Sequence, residues 1–81
     1  MGESVRVTVY SREVCPLCDE AIATIESVAA RADADVAVEE VDVDDDPELR
    51  AEYGDRVPYV FVDGVPKFKY RVDPAELETL L

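Results

Sequence analysis

Apolar and polar residues alternate from the start of the chain. In Val5-Arg6-Val7-Thr8-Val9-Tyr10 the valines fall on one side and the remaining residues on the other, the period-two signature of a strand. After the polar link Ser11-Arg12-Glu13-Val14 the period lengthens. Leu17, Ala21, Ile25, Val28 and Ala32 recur at steps of four and three, and Ile22 and Ala29 widen that stripe. This predicts a helix from Pro16 to about Ala32, with Pro16 at the first helical position, where its missing N–H costs nothing. Asp33 to Asp35 is expected to turn the chain.

Val36 to Val43 reads as a second strand whose phase slips at Glu39-Glu40, so a bulge or an exposed edge is expected there. Asp46 and Pro47 then open a short helix, with Gly54 past its end. Tyr59-Val60-Phe61-Val62 is continuously apolar, as a strand covered on both faces would be. Asp63-Gly64 is a hairpin signal, and Val65 to Tyr70 returns as a strand whose Pro66 suits an edge. Asp73-Pro74-Ala75-Glu76 has the form of a capping box for a last helix ending in Leu77, Leu80 and Leu81. The order is strand, helix, strand, helix, strand, strand, helix. A helical crossover makes the first two strands parallel, and the hairpin makes the last two antiparallel. Residues 1–81 read as one α/β domain.

Composition narrows what this scaffold does. The chain has 81 residues, and Asp and Glu outnumber Lys and Arg by 20 to 8. Such a surface repels phosphate backbones and anionic lipid, which argues against nucleic-acid and membrane partners. It also fits a solvated acidic coat suited to high salt, as halophile proteins carry. No apolar run is long enough to span a bilayer, and the N-terminus has no basic segment followed by an apolar stretch, so a cytoplasmic location is expected; a monomer is expected as well. Histidine is absent, which removes His-activated nucleophiles and His metal ligands, and no metal site is expected. Asp44-Asp45-Asp46 lacks the spaced ligands, glycine and distal glutamate of an EF-hand and reads as a capped loop.

The chemistry lies in Cys15-Pro16-Leu17-Cys18, where the first strand hands over to the first helix. Thiol exchange needs a thiolate, and the unpaired N–H groups and positive end of a helix dipole stabilise one. Cys15 falls at the cap, where that effect is largest, and is expected to attack first. Cys18 lies one turn in, at a Cβ separation of roughly 5–6 Å that small adjustments bring to disulfide range. Two inert buried cysteines, or an iron–sulfur cluster shared between chains, remain alternative readings of the same pair.

With these residues in view, the chain resembles the glutaredoxins. The similarity is closest to small bacterial and archaeal proteins whose motif reads Cys-x-Leu-Cys-Asp-Glu-Ala, here Cys15-Pro16-Leu17-Cys18-Asp19-Glu20-Ala21. The resemblance implies a thioredoxin-like fold, a four-stranded mixed sheet with helices on both faces. It implies a thiol–disulfide oxidoreductase acting on protein or low-molecular-weight disulfides. No tightly bound cofactor is expected, glutathione or another small thiol would serve as co-substrate, and a reductase or thiol would donate electrons. Val57-Pro58 matches the segment that carries a cis-proline facing the cysteines, and Val57 would pair with substrate there. Arg12 stands where the family often has a lysine that clamps the glutathione carboxylate. Tyr70-Arg71-Val72-Asp73 replaces the usual glycine pair before the last helix and keeps only Asp73, a substrate-binding position in the family. Leu17 replaces the usual aromatic residue between the cysteines. Arg12, Arg56, Lys67, Lys69 and Arg71 are expected to offset the acidity around the site.

Overall fold

A computed structural model describes residues 4–32 and 35–81. Strand β1 (Ser4–Ser11) is followed by α1 (Pro16–Arg31), β2 (Asp35–Asp42), a 3-10 turn at Val43–Asp45, α2 (Pro47–Tyr53), β3 (Tyr59–Val62), β4 (Val65–Lys69) and α3 (Pro74–Leu80). The expected order of strands and helices is the one found. The sheet order is β2-β1-β3-β4, with β1 parallel to β2 and antiparallel to β3, and β3 antiparallel to β4. The turn expected over Asp33 to Asp35 falls largely outside the described residues.

One face of the sheet forms the main core. Val5, Val7 and Val9 of β1, Val60 and Val62 of β3 and Phe68 of β4 meet Ile25 and Val28 of α1 and Leu77 of α3. Ile22, Val36, Val72, Leu80 and Leu81 pack around them. The buried stripe of α1 is Cys18, Ala21, Ile25 and Val28. The expectation that Leu17 heads this stripe is corrected: Leu17 is 37% exposed and Cys18 takes its place, at steps of three, four and three.

The opposite face carries aromatic residues. Tyr53 of α2 stacks on Tyr10 of β1 at 4.6 Å, and Phe61 and Tyr59 of β3 complete the cluster. Helices thus cover both faces, and β3, flanked on both sides by strands, is half-buried or buried at every residue.

β2 is an edge strand paired in unbroken register with β1, so the phase slip at Glu39-Glu40 reflects the edge and not a bulge. Glu40 accepts a hydrogen bond from the buried Ser11 hydroxyl at 3.0 Å. The bulge occurs where Pro66 enters β4: Val60 pairs with Phe68 and Phe61 with Pro66, leaving Lys67 as the extra residue. This suits a residue that has no N–H to offer a ladder. Asp63 and Gly64 both have positive φ, 52° and 81°, as a two-residue hairpin requires. Asp46 and Asp73 accept hydrogen bonds from backbone N–H groups at the starts of α2 and α3. Gly54 ends α2, but with a right-handed φ of −53°. It is required for another reason: a Cβ there would collide with the Arg50 carbonyl.

Candidate functional site

The loop after β1 delivers Cys15 to the first turn of α1. Cys15 is the N-cap residue, in extended conformation, and its Sγ accepts a hydrogen bond from the Cys18 N–H at 3.2 Å. Cys15 and Cys18 form a disulfide, with Cα atoms 5.2 Å apart. The two sulfurs differ in surroundings. Cys18 is 1% exposed and belongs to the buried stripe of α1, whereas Cys15 is half-buried and lines an open cleft.

That cleft, about 550 Å³, is bounded by Arg12, Glu13, Val14 and Cys15 from the β1–α1 loop, Asp44 from the 3-10 turn, and Gly54, Asp55 and Val57 from the loop after α2. The peptide bond between Val57 and Pro58 is cis, as the resemblance implied, and Pro58 is buried. The Pro58 carbonyl accepts from the Tyr70 N–H at 2.8 Å. Neither the N–H nor the carbonyl of Val57 has a hydrogen-bond partner among the described residues.

Arg12 lines the cleft, but its guanidinium is already engaged. Its Nε donates to Asp44 at 3.1 Å, and Arg50 approaches the other Asp44 oxygen at 3.6 Å. The hydrogen bond and charge of Asp44 raise the Arg12 pKa above its ordinary value, and the charges of Asp55 and Asp42 add to the shift. Of the other cations expected to offset the acidity, none lines this cleft. Arg71 lines a separate groove with Leu17, Glu20, Ala21, Thr24, Tyr70 and Val72, and Lys67 and Lys69 lie along β4 beside Tyr59.

Asp73 is also outside the cleft lining, and one of its oxygens caps α3 through the Ala75 and Glu76 N–H groups at 3.0 and 3.4 Å. The structure therefore brings Cys15, Arg12 and Val57 around one cavity, sets Cys18 and Pro58 behind it, and leaves Asp73 at a helix start.

Several site features escaped sequence reasoning. Glu13, Asp44 and Asp55 reach the cleft from three separate segments, and only the fold unites them. Tyr70, which opens the segment standing in place of the glycine pair of the resemblance, has a left-handed backbone with φ of 70°. Its hydroxyl donates to the Asp55 carbonyl at 3.2 Å, so its side chain reaches the rim of the cleft. Among the described residues, no group of three or more Cys, Asp or Glu side chains is arranged to hold a metal ion, and no helix is long and apolar enough to cross a membrane.

Comparison with known proteins agrees with this geometry. Residues 6–81 match the family model described as glutaredoxin-like domain (DUF836). A search of curated proteins finds no match. Among solved structures, protein XcR50 from X. campestris is 31% identical with a TM-score of 0.73, covering 91% of this chain and 92% of that one. Protein Ne2328 from Nitrosomonas europaea is 28% identical with a TM-score of 0.81, covering 100% and 95%. A mutant thioredoxin from Halobacterium salinarum is 28% identical with a TM-score of 0.62, covering 94% of this chain and 70% of its own. The fold is thioredoxin-like.

Proposed function

The chain belongs to the glutaredoxin-like domain family, and from that premise we propose that it is a thiol–disulfide oxidoreductase in which Cys15 attacks and Cys18 resolves. The observation that carries this reading is the asymmetry of the pair: a cleft-facing sulfur at a helix cap, bonded to a buried sulfur one turn in.

The disulfide in the structure corresponds to the oxidised end of the cycle. In the reduced protein, the Cys15 thiolate is favoured by the Cys18 N–H and by the start of α1. It attacks one sulfur of a substrate disulfide R–S–S–R′. The Cys15–S–R bond forms, the substrate S–S bond breaks, and R′S⁻ departs and takes up a proton. Cys18, as thiolate, then attacks Cys15 Sγ. The internal disulfide forms, and RS⁻ leaves and is protonated. Two electrons pass from the protein dithiol to the substrate, and the protons lost by the two cysteines balance those gained by the two product thiols. An external thiol or a reductase restores the dithiol, as a reducing cytoplasm provides.

Val57 supports the binding half of the reading. It lines the cleft that holds Cys15 and its N–H and carbonyl have no partner among the described residues, so an extended segment would pair with them as an added strand does. The protein acts as a monomer on disulfides and uses no tightly bound cofactor.

The test is a paired assay, reduction of a glutathione mixed disulfide and of a protein disulfide, with wild type, Cys15→Ser and Cys18→Ser. Cys15→Ser is inactive in both, and Cys18→Ser accumulates as a mixed disulfide with the protein substrate. Full activity of Cys15→Ser contradicts the assignment. Visible absorbance after anaerobic reconstitution with iron and sulfide, without exchange activity, would favour a cluster-binding module instead.

A further inference from the structure

The cleft beside Cys15 has an electrostatic character that bears on what enters it. Its charged lining is three carboxylates, Glu13, Asp44 and Asp55, and one guanidinium, Arg12. Arg12 is held by Asp44, and Arg50 reaches the same carboxylate from outside the cleft lining. Glu13 and Asp55 have no ion-pair partner among the described residues. A carboxylate entering here meets a cation that is already neutralised and two anions that are not. A substrate cation meets the reverse.

The exposed apolar side chains near Cys15 in sequence bear on the size of the occupant. Val14, immediately before Cys15, is 91% exposed, and Leu17, two residues after it, is 37% exposed. These aliphatic side chains lie on either side of the reactive sulfur in sequence and gain from being covered. Val14 lines the cleft and Leu17 the separate groove beside Tyr70, so a ligand confined to the cleft does not cover both, whereas a polypeptide running from the cleft into that groove covers them and passes Val57. Tyr70 lines that separate groove, and its hydroxyl donates to the carbonyl of Asp55 on the cleft.

We propose that the substrate of this site is an extended protein segment whose disulfide is flanked by Lys or Arg, and that Glu13 and Asp55 select it against anionic small disulfides such as glutathione disulfide. This rests on the thiol-exchange reading above and adds the substrate class to it. The chemistry is the two-step exchange already written, with R and R′ belonging to the basic segment. Complementary charge acts chiefly on encounter, so selection appears in kcat/KM and fades with ionic strength.

The experiment uses the reduced full-length protein and three substrates at low ionic strength: two peptides of equal length with a disulfide flanked by lysines or by glutamates, and hydroxyethyl disulfide as an uncharged probe. Glutathione disulfide is run beside them. The lysine peptide is reduced about tenfold or more faster in kcat/KM than the glutamate peptide, a steering effect of ordinary size. The combined Glu13→Gln and Asp55→Asn variant brings that ratio to within about twofold, as does about 1 M salt. Glu26→Gln, which removes one exposed charge from α1 away from the cleft, leaves the ratio unchanged. Equal rates for the two peptides, faster turnover of glutathione disulfide than of the lysine peptide, or an equal effect of Glu26→Gln overturns the proposal. If hydroxyethyl disulfide is reduced in those cases, exchange stands and only the substrate class falls. If none of the disulfides is reduced, both fall.

Discussion

Cys15 and Cys18 are three residues apart on one helix, yet only one of them faces the cleft. The CxxC spacing and its place at a strand-to-helix junction were legible in the sequence, because both depend on local periodicity. The difference in burial was only half legible, since Leu17 and Cys18 compete for the top of the same stripe and the sheet decides between them. Tyr70 is a second residue that the sequence did not explain. An L-residue at φ of 70° is disfavoured, and nothing in the local pattern asks for it. Its backbone N–H on Pro58 and its hydroxyl on Asp55 hold it there. Replacing it with alanine removes the side-chain bond and keeps the backbone strain, whereas glycine removes both. Tyr70→Gly is therefore expected to be more stable than Tyr70→Ala by about 1 kcal/mol in urea unfolding.

At the scale of elements, strand and helix order followed from periodicity, from the proline at each helix start and from the aspartate caps of α2 and α3. Two positions show what the fold adds to the pattern. Gly54 stops α2 as expected but has no left-handed backbone; it clears the Arg50 carbonyl instead, a contact visible only once the helix is built. Gly54→Ala should therefore lower stability, although alanine is the better helix former, and a gain in urea midpoint would refute the steric account. The second is Glu39-Glu40, where the edge, one of the two alternatives expected, is found: alternation fails because β2 is an edge strand and little burial enforces a phase. For α1 the core assignment has its own test. Ile25 is fully buried against the sheet, so Ile25→Ala is expected to cost about 2–5 kcal/mol, while Leu17→Ala at the exposed rim costs roughly 1 kcal/mol or less.

For the molecule as a whole, the formal net charge of −12 on 81 residues is the dominant long-range term. Only three ion pairs occur among the described residues, two of them on Asp44, so most carboxylates repel one another through solvent. Screening that repulsion should stabilise the folded state. The unfolding midpoint is expected to rise steadily from about 0.05 M to 1 M potassium chloride, a range over which the screening length shortens several-fold. A flat or falling curve would show that the acidic surface carries no such cost. Net acidity was readable from composition, but its concentration around Cys15 was not, because of the five basic residues expected to offset it only Arg12 lines the cleft, while Lys67, Lys69 and Arg71 lie on other surfaces.

Exchange at this site requires that Cys15 be the sulfur that reacts. The most direct measurement reduces the protein, exposes it to less than one equivalent of an alkylating agent at neutral pH, quenches in acid, and maps the label by mass spectrometry. Nearly all of the label is expected on Cys15, at a rate above that of a free cysteine peptide. Label shared equally between the two cysteines, or found mainly on Cys18, would contradict the account.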